Sequence, residues 1–130
     1  MNTPMAKPHE EWLKQADYDM ETADCMFQNG RYFYAVFMCH LSIEKALKAL
    51  YQHRLRQVPP KTHNLVLLLK TAGVVPPEQT GRFLVDLNEA HIATRYPEDL
   101  EYLKKMYNES VTRNLLNHGK EVLAWTRTQF

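Results

Sequence analysis

Apolar side chains recur along this chain at spacings of three and four, and nowhere alternate with polar ones for long enough to predict a strand. Between Glu10 and Gln28, Trp12, Ala16, Met20, Ala23 and Phe27 fall on one helical face. Glu11, Lys14, Asp17, Glu21 and Asp24 occupy the other side, and Asn29-Gly30 is a helix stop. A second helix is expected from Tyr32 to Leu55, with Ala35, Cys39, Ile43, Ala46, Leu47 and Leu50 as its main stripe. Phe33, Phe37, Leu41 and Tyr51 cover much of its remaining surface, so it reads as a helix packed on several sides. After Pro59-Pro60, Thr62 is placed to cap a short helix through Leu69. A further helix is expected from Glu78 to Ala93, with Phe83, Leu84, Leu87, Ala90 and His91 inward. The last is expected from Leu103 to Arg127, with Val111, Leu115, Val122 and Trp125 as its stripe. Four long helices and one short one predict an all-α, antiparallel up-and-down four-helix bundle.

Composition narrows this without redirecting it. The 130 residues suffice for one domain, expected over 10–130 behind a flexible N-terminal arm at 1–9. Sixteen Lys and Arg against fifteen Asp and Glu leave a formal charge of +1, so the chain as a whole makes no electrostatic case for DNA or a membrane surface. No apolar run is long enough to span a membrane, and the N-terminus lacks the apolar core of a signal peptide, which together predict a cytoplasmic protein. Cys25 and Cys39 lie apart within helical patterns and are expected to be reduced core thiols.

Chemistry is sparse. The six histidines form no metal-ligand spacing, no glycine-rich phosphate loop is present, and neither Ser42 nor Ser110 sits in a nucleophile context. No metal and no cofactor is therefore expected. His40, Glu44 and Lys48 stand four apart and form one ridge of the second helix. Glu44 points among aromatics, where a carboxylate needs a partner. It either pairs locally with Lys48 or orients a basic residue from another helix within a cleft. His63, beside the start of the short helix, is either a turn-packing residue or a phosphate contact. Arg95 precedes Tyr96-Pro97, a fixed helix exit. Arg95 is expected to reach back to Glu44, or else to offer its planar fork to a phosphate while Tyr96 stacks on a base. Arg113, Asn114 and His118 form a last cluster. Five positions separate Arg113 from His118, so the two point about 140° apart on one helix and would need a second helix at a dimer interface to converge.

Four stretches, in order, carry a family resemblance: Trp12-Leu13 through Ala16-Asp17 with Ala23; Gly30-Arg31-Tyr32 through Ala35 into Ile43-Glu44-Lys45-Ala46-Leu47-Lys48-Ala49-Leu50; Thr62-His63-Asn64-Leu65; and Arg95-Tyr96-Pro97. Over about residues 10 to 127 the chain resembles the HEPN domain family, the nucleotide-binding helical domain of higher eukaryotes and prokaryotes. The resemblance implies a bundle similar to the substrate-binding domain of a nucleotidyltransferase, commonly a homodimer. It implies a non-catalytic module that binds a nucleotide or partners a minimal nucleotidyltransferase, with Glu44, Lys45, Lys48, His63, Arg95 and Tyr96 forming the cleft. Some branches are metal-independent ribonucleases, toxins of toxin–antitoxin pairs that act on RNA. Carried over, Arg113 would bind the scissile phosphate and His118 would assist proton transfer, with Asn114 the polar residue of that motif. A ligand-free interaction subunit is the third reading.

Overall fold

The structure is a computed structural model that describes residues 7–130; the greater part of the expected N-terminal arm, residues 1–6, lies outside the described residues. Six helices follow in order: α1 (His9–Gln28), α2 (Tyr32–Leu55), α3 (Leu65–Thr71), α4 (Glu78–Arg95), α5 (Leu100–Met106) and α6 (Glu109–Arg127). Among the described residues there is no strand, and none of these helices is long and apolar enough to cross a membrane.

The α1–α2 hairpin forms because Asn29 and Gly30 close α1 in a tight turn. Gly30 takes φ 74°, a left-handed conformation in which a Cβ is strained, and the Arg31 N–H then returns to the Met26 carbonyl at 2.8 Å. The buried face of α1 is Ala16, Met20 and Ala23, as the pattern predicts. It also includes Asp19, which the pattern placed nowhere: its carboxylate is buried and meets Lys45 Nζ at 2.9 Å.

α2 packs against all five other helices. Its predicted stripe is buried, as are Phe33, Val36, Ala49 and Tyr51. Burying each of Ile43, Leu47 and Leu50 contributes about 1.5–3 kcal/mol.

Two elements differ from the sequence reading. Asn64, not Thr62, caps α3: its side chain accepts from the Leu67 N–H at 3.1 Å, while the Thr62 hydroxyl accepts from the Asn64 N–H. The expected single C-terminal helix is two helices. The chain breaks at Tyr107-Asn108, and Asn108 caps α6 by accepting from the Val111 N–H at 2.9 Å. The new start rotates the inward face of α6 to Thr112, Leu116, Gly119, Val122, Leu123 and Thr126, leaving Val111 exposed. The apolar stripe misled because Thr126 is buried with its hydroxyl satisfied, donating to the Val122 carbonyl at 2.8 Å. Gly119 is a close-approach site as well. A Cβ there would stand 2.5 Å from Cys39 Sγ, so glycine lets α6 settle onto α2. Cys39 is a free core thiol, as expected; Cys25 is free but exposed, because its position on α1 faces away from α2.

Candidate functional site

The ridge His40–Glu44–Lys48 lies buried where α2 meets α4 and the segment leading into α3. Glu44 is its centre. Its Oε2 lies 3.1 Å from Lys48 Nζ, and its Oε1 accepts from His63 Nδ1 at 2.8 Å. An ionised carboxylate only accepts, so this bond places the proton on His63 Nδ1 and leaves Nε2 as the nitrogen free to meet a ligand. Glu44 thus makes both arrangements that its sequence position left open, a local pair with Lys48 and a bond to a basic side chain from elsewhere. That partner is His63. The expected Arg95–Glu44 bond is not made: Lys48 and His63 occupy the carboxylate, and Arg95, exposed at the end of α4, lies over its neighbour Tyr96 at 5.6 Å.

An asparagine clasp presents His63. Asn88 of α4 accepts from the Leu65 N–H at 3.0 Å and donates to Asn64 Oδ1 at 3.0 Å. The start of α3 is therefore pinned to α4, and the residue before Asn64 is turned onto Glu44. Asn64 entered the sequence reading only as part of the Thr62-His63-Asn64-Leu65 stretch, and Asn88 not at all. Asn64 has the ordinary signal of a helix cap, whereas Asn88 carries none, being one polar residue among many on α4.

Three imidazoles meet beside this bond. His40 and His91 stack with centroids 3.9 Å apart and planes 18° apart; Phe37 covers His91 at 5.5 Å, and His63 approaches it at 5.3 Å. His40 is wholly buried and neither of its nitrogens completes a hydrogen bond, although the Asn88 side chain and the His63 backbone lie close by. Burial is the main cause that pushes its pKa down to about 3, with His91 adding to it, so the ring is neutral at pH 7. His91 is also lowered, first by burial and then by the neighbouring charges of His63 and Arg95, which Glu44 partly offsets. His63 thus lies against the His91 ring, and Arg95 follows it one turn further along α4. Tyr96, the C-cap of α4, has φ −127°, away from the helical region as Pro97 requires, and is exposed.

Lys45 does not join this group. It faces α1, paired with Asp19, and borders an open cleft with Glu11, Lys14, Gln15 and Tyr18. Lys48 leans toward Trp12, its Nζ 5.8 Å from the ring, while Lys7 caps that ring at 3.6 Å.

Arg113, Asn114 and His118 lie on α6, with Arg113 and Asn114 exposed. Arg113 is bonded to Glu109 at 2.6 Å and lies over Phe27 of α1, whereas His118 packs on Phe83 of α4 at 4.2 Å. Within one chain the two side chains face different neighbours, as their spacing predicts. Among the described residues no group of three His, Cys, Asp or Glu side chains is placed to hold a metal ion.

These features define a class: an all-helical bundle whose central helix α2 carries a buried carboxylate and one ring of a histidine stack, facing an α4 that supplies the other ring and an exposed arginine–tyrosine exit. The model of the HEPN domain matches residues 9–129, and the chain belongs to the HEPN domain family. Among solved structures it is similar to TT1696 from Thermus thermophilus, at 24% identity and a TM-score of 0.81, covering 94% of this chain and 98% of that one. It is also similar to ST0689, described as an archaeal HEPN homologue, at 26% identity and a TM-score of 0.76, covering 95% and 98%. No curated protein matches the chain significantly.

Proposed function

We propose that this HEPN domain is a non-catalytic module that binds a nucleotide between His63 and the Arg95-Tyr96 exit and acts as a homodimer beside a minimal nucleotidyltransferase. The observation that carries the reading is the Glu44–His63 bond. A buried carboxylate holds one imidazole in a fixed tautomer while Arg95, one turn beyond His91 on α4, keeps its guanidinium free of Glu44 and over Tyr96. Arg95 then offers a planar fork to a phosphate, and Tyr96, more than half exposed, offers a face to a base. Lys48 supports this from behind by neutralising Glu44. Lys45 contributes to the α1 face instead. Val85 and Ile92, seven residues apart on α4 and both exposed, support an association surface on that helix.

Calorimetric titration with nucleoside mono- and triphosphates tests the reading. Saturable binding that Arg95→Ala weakens about tenfold or more is expected, a charge-assisted contact being worth at least that factor. No detectable binding by the intact dimer removes the nucleotide half of the proposal. Light scattering tests the dimer. The ribonuclease reading requires Arg113 and His118 from two copies to converge. RNA cleavage in EDTA that is lost in His118→Ala would establish it in place of the non-catalytic one.

A further inference from the structure

A second concavity of about 420 Å³ opens at the other end of α2. Its walls come from the α1–α2 turn, the first turn of α2 and the joint between α5 and α6. The break at Tyr107-Asn108, which no sequence stripe disclosed, brings Tyr107 in as a lining residue alongside Phe33. Both of these rings are buried, whereas Tyr34 is about half exposed and Tyr32 is partly so. Four aromatic residues thus line a space of ordinary small-ligand size, the Tyr32 ring also meeting Phe27 at 5.3 Å.

Two cations line the same space. Arg31 is exposed, and none of the ion pairs among the described residues involves it. Lys104 has only a loose contact with Glu101, at 3.9 Å between exposed side chains. The one acid on the lining, Glu109, is committed to Arg113 at 2.6 Å. Burial pushes the Tyr107 hydroxyl above its ordinary pKa, so it stays protonated and able to donate. One unpaired and one loosely paired cation beside aromatic side chains suit a flat ring with a negative group at one edge.

We propose that this groove binds a small planar aromatic molecule carrying a carboxylate or a phosphate, its anion held by Arg31 and Lys104 and its ring seated among Tyr32, Phe33, Tyr34 and Tyr107. The site lies apart from the His63–Arg95 cleft and does not depend on it.

Calorimetric titration of the full chain with two probes, indole-3-carboxylate and 5′-AMP, tests the assignment and separates an aromatic carboxylate from a nucleotide as the source. Adenosine, without the anion, and inorganic phosphate, without the ring, serve as controls. Saturable binding of at least one probe is expected, with both controls about tenfold weaker or worse. Arg31→Ala and Lys104→Ala are each expected to weaken that binding about tenfold, and Tyr34→Ala to weaken it measurably, with unchanged unfolding midpoints because all three side chains are exposed. Arg95→Ala, which strips the other cleft, is expected to leave it intact. The proposal is overturned if neither probe saturates, or if binding survives both Arg31→Ala and Lys104→Ala, including the case where 5′-AMP binding disappears only with Arg95→Ala.

Discussion

His63 Nδ1 stands 2.8 Å from Glu44 Oε1, joining a half-exposed loop histidine to a carboxylate sealed within α2. The same carboxylate neutralises Lys48, itself almost entirely buried. Glu44→Ala therefore removes the partner of a buried cation, and a loss of about 3 kcal/mol of stability is expected from chemical denaturation. His63→Ala leaves the Glu44–Lys48 pair standing and is expected to cost under about 1 kcal/mol. Equal losses in the two variants would show that the histidine, rather than the lysine, makes the carboxylate tolerable.

Gly119 and Cys39 form a coupled pair. Placing a methyl group 2.5 Å from Cys39 Sγ overpacks the α2–α6 contact, so Gly119→Ala is expected to destabilise by about 1–3 kcal/mol, against a helix-propensity gain of about 1 kcal/mol. Combined with Cys39→Ala, the same substitution is expected to cost far less. A double-mutant cycle by urea denaturation measures the coupling, and additive losses would reject the contact.

The two thiols should differ in reactivity. Cys25 is exposed, whereas Cys39 is sealed in the core and burial pushes its thiol up to about 12. A thiol-specific disulfide reagent at pH 8 is expected to titrate Cys25 alone in the native protein and both cysteines once it is unfolded.

Stability should fall with acid through the histidine stack. His40 has a folded pKa near 3 and an ordinary value near 6.5 when unfolded, so between these the unfolded chain binds the extra proton. Above about pH 6.5 this linkage contributes nothing. As pH falls below it, stability drops by up to about 1.4 kcal/mol per pH unit for this one group, until the folded pKa is reached. His91, lowered by burial, acts with the same sign, while the Glu44 carboxylate 3.8 Å from His40 is too little to reverse it. Denaturation of wild type and His40→Phe from pH 7 to pH 4 checks this: the variant keeps a stacking ring and is expected to show the shallower slope.

Much of this architecture was legible from spacing alone. The stripes of α1, α2 and α4 sit where periods of three and four place them, because most of their residues are apolar side chains packed against the other helices. The C-terminal helices were not legible. Tyr107 and Asn108 contain no proline or glycine, and the asparagine cap that restarts the helix reads locally as one more polar surface position. Thr112, Gly119 and Thr126 then supply an inward face that hydropathy ranks as neutral. At the site, the ridge of Glu44 was visible, since a carboxylate among aromatics demands a partner. Lys48 was foreseeable as a partner from its spacing, but His63 as the second one was not, because Asn88 helps to position it from across the chain. Asp19 escaped for a similar reason: a charge is buried cheaply only once its counter-charge, Lys45, is known to face it.

A helix that touches every other one, as α2 does, cannot loosen by degrees: a misfit anywhere along it strains several neighbours together, and the molecule melts as a unit. Variation should therefore accumulate on the outward faces of α3 and α5, whose inward residues Leu65, Leu68 and Leu103 are sealed in the core. Substitution at these outward positions changes the surface the protein presents while the scaffold stays unaltered.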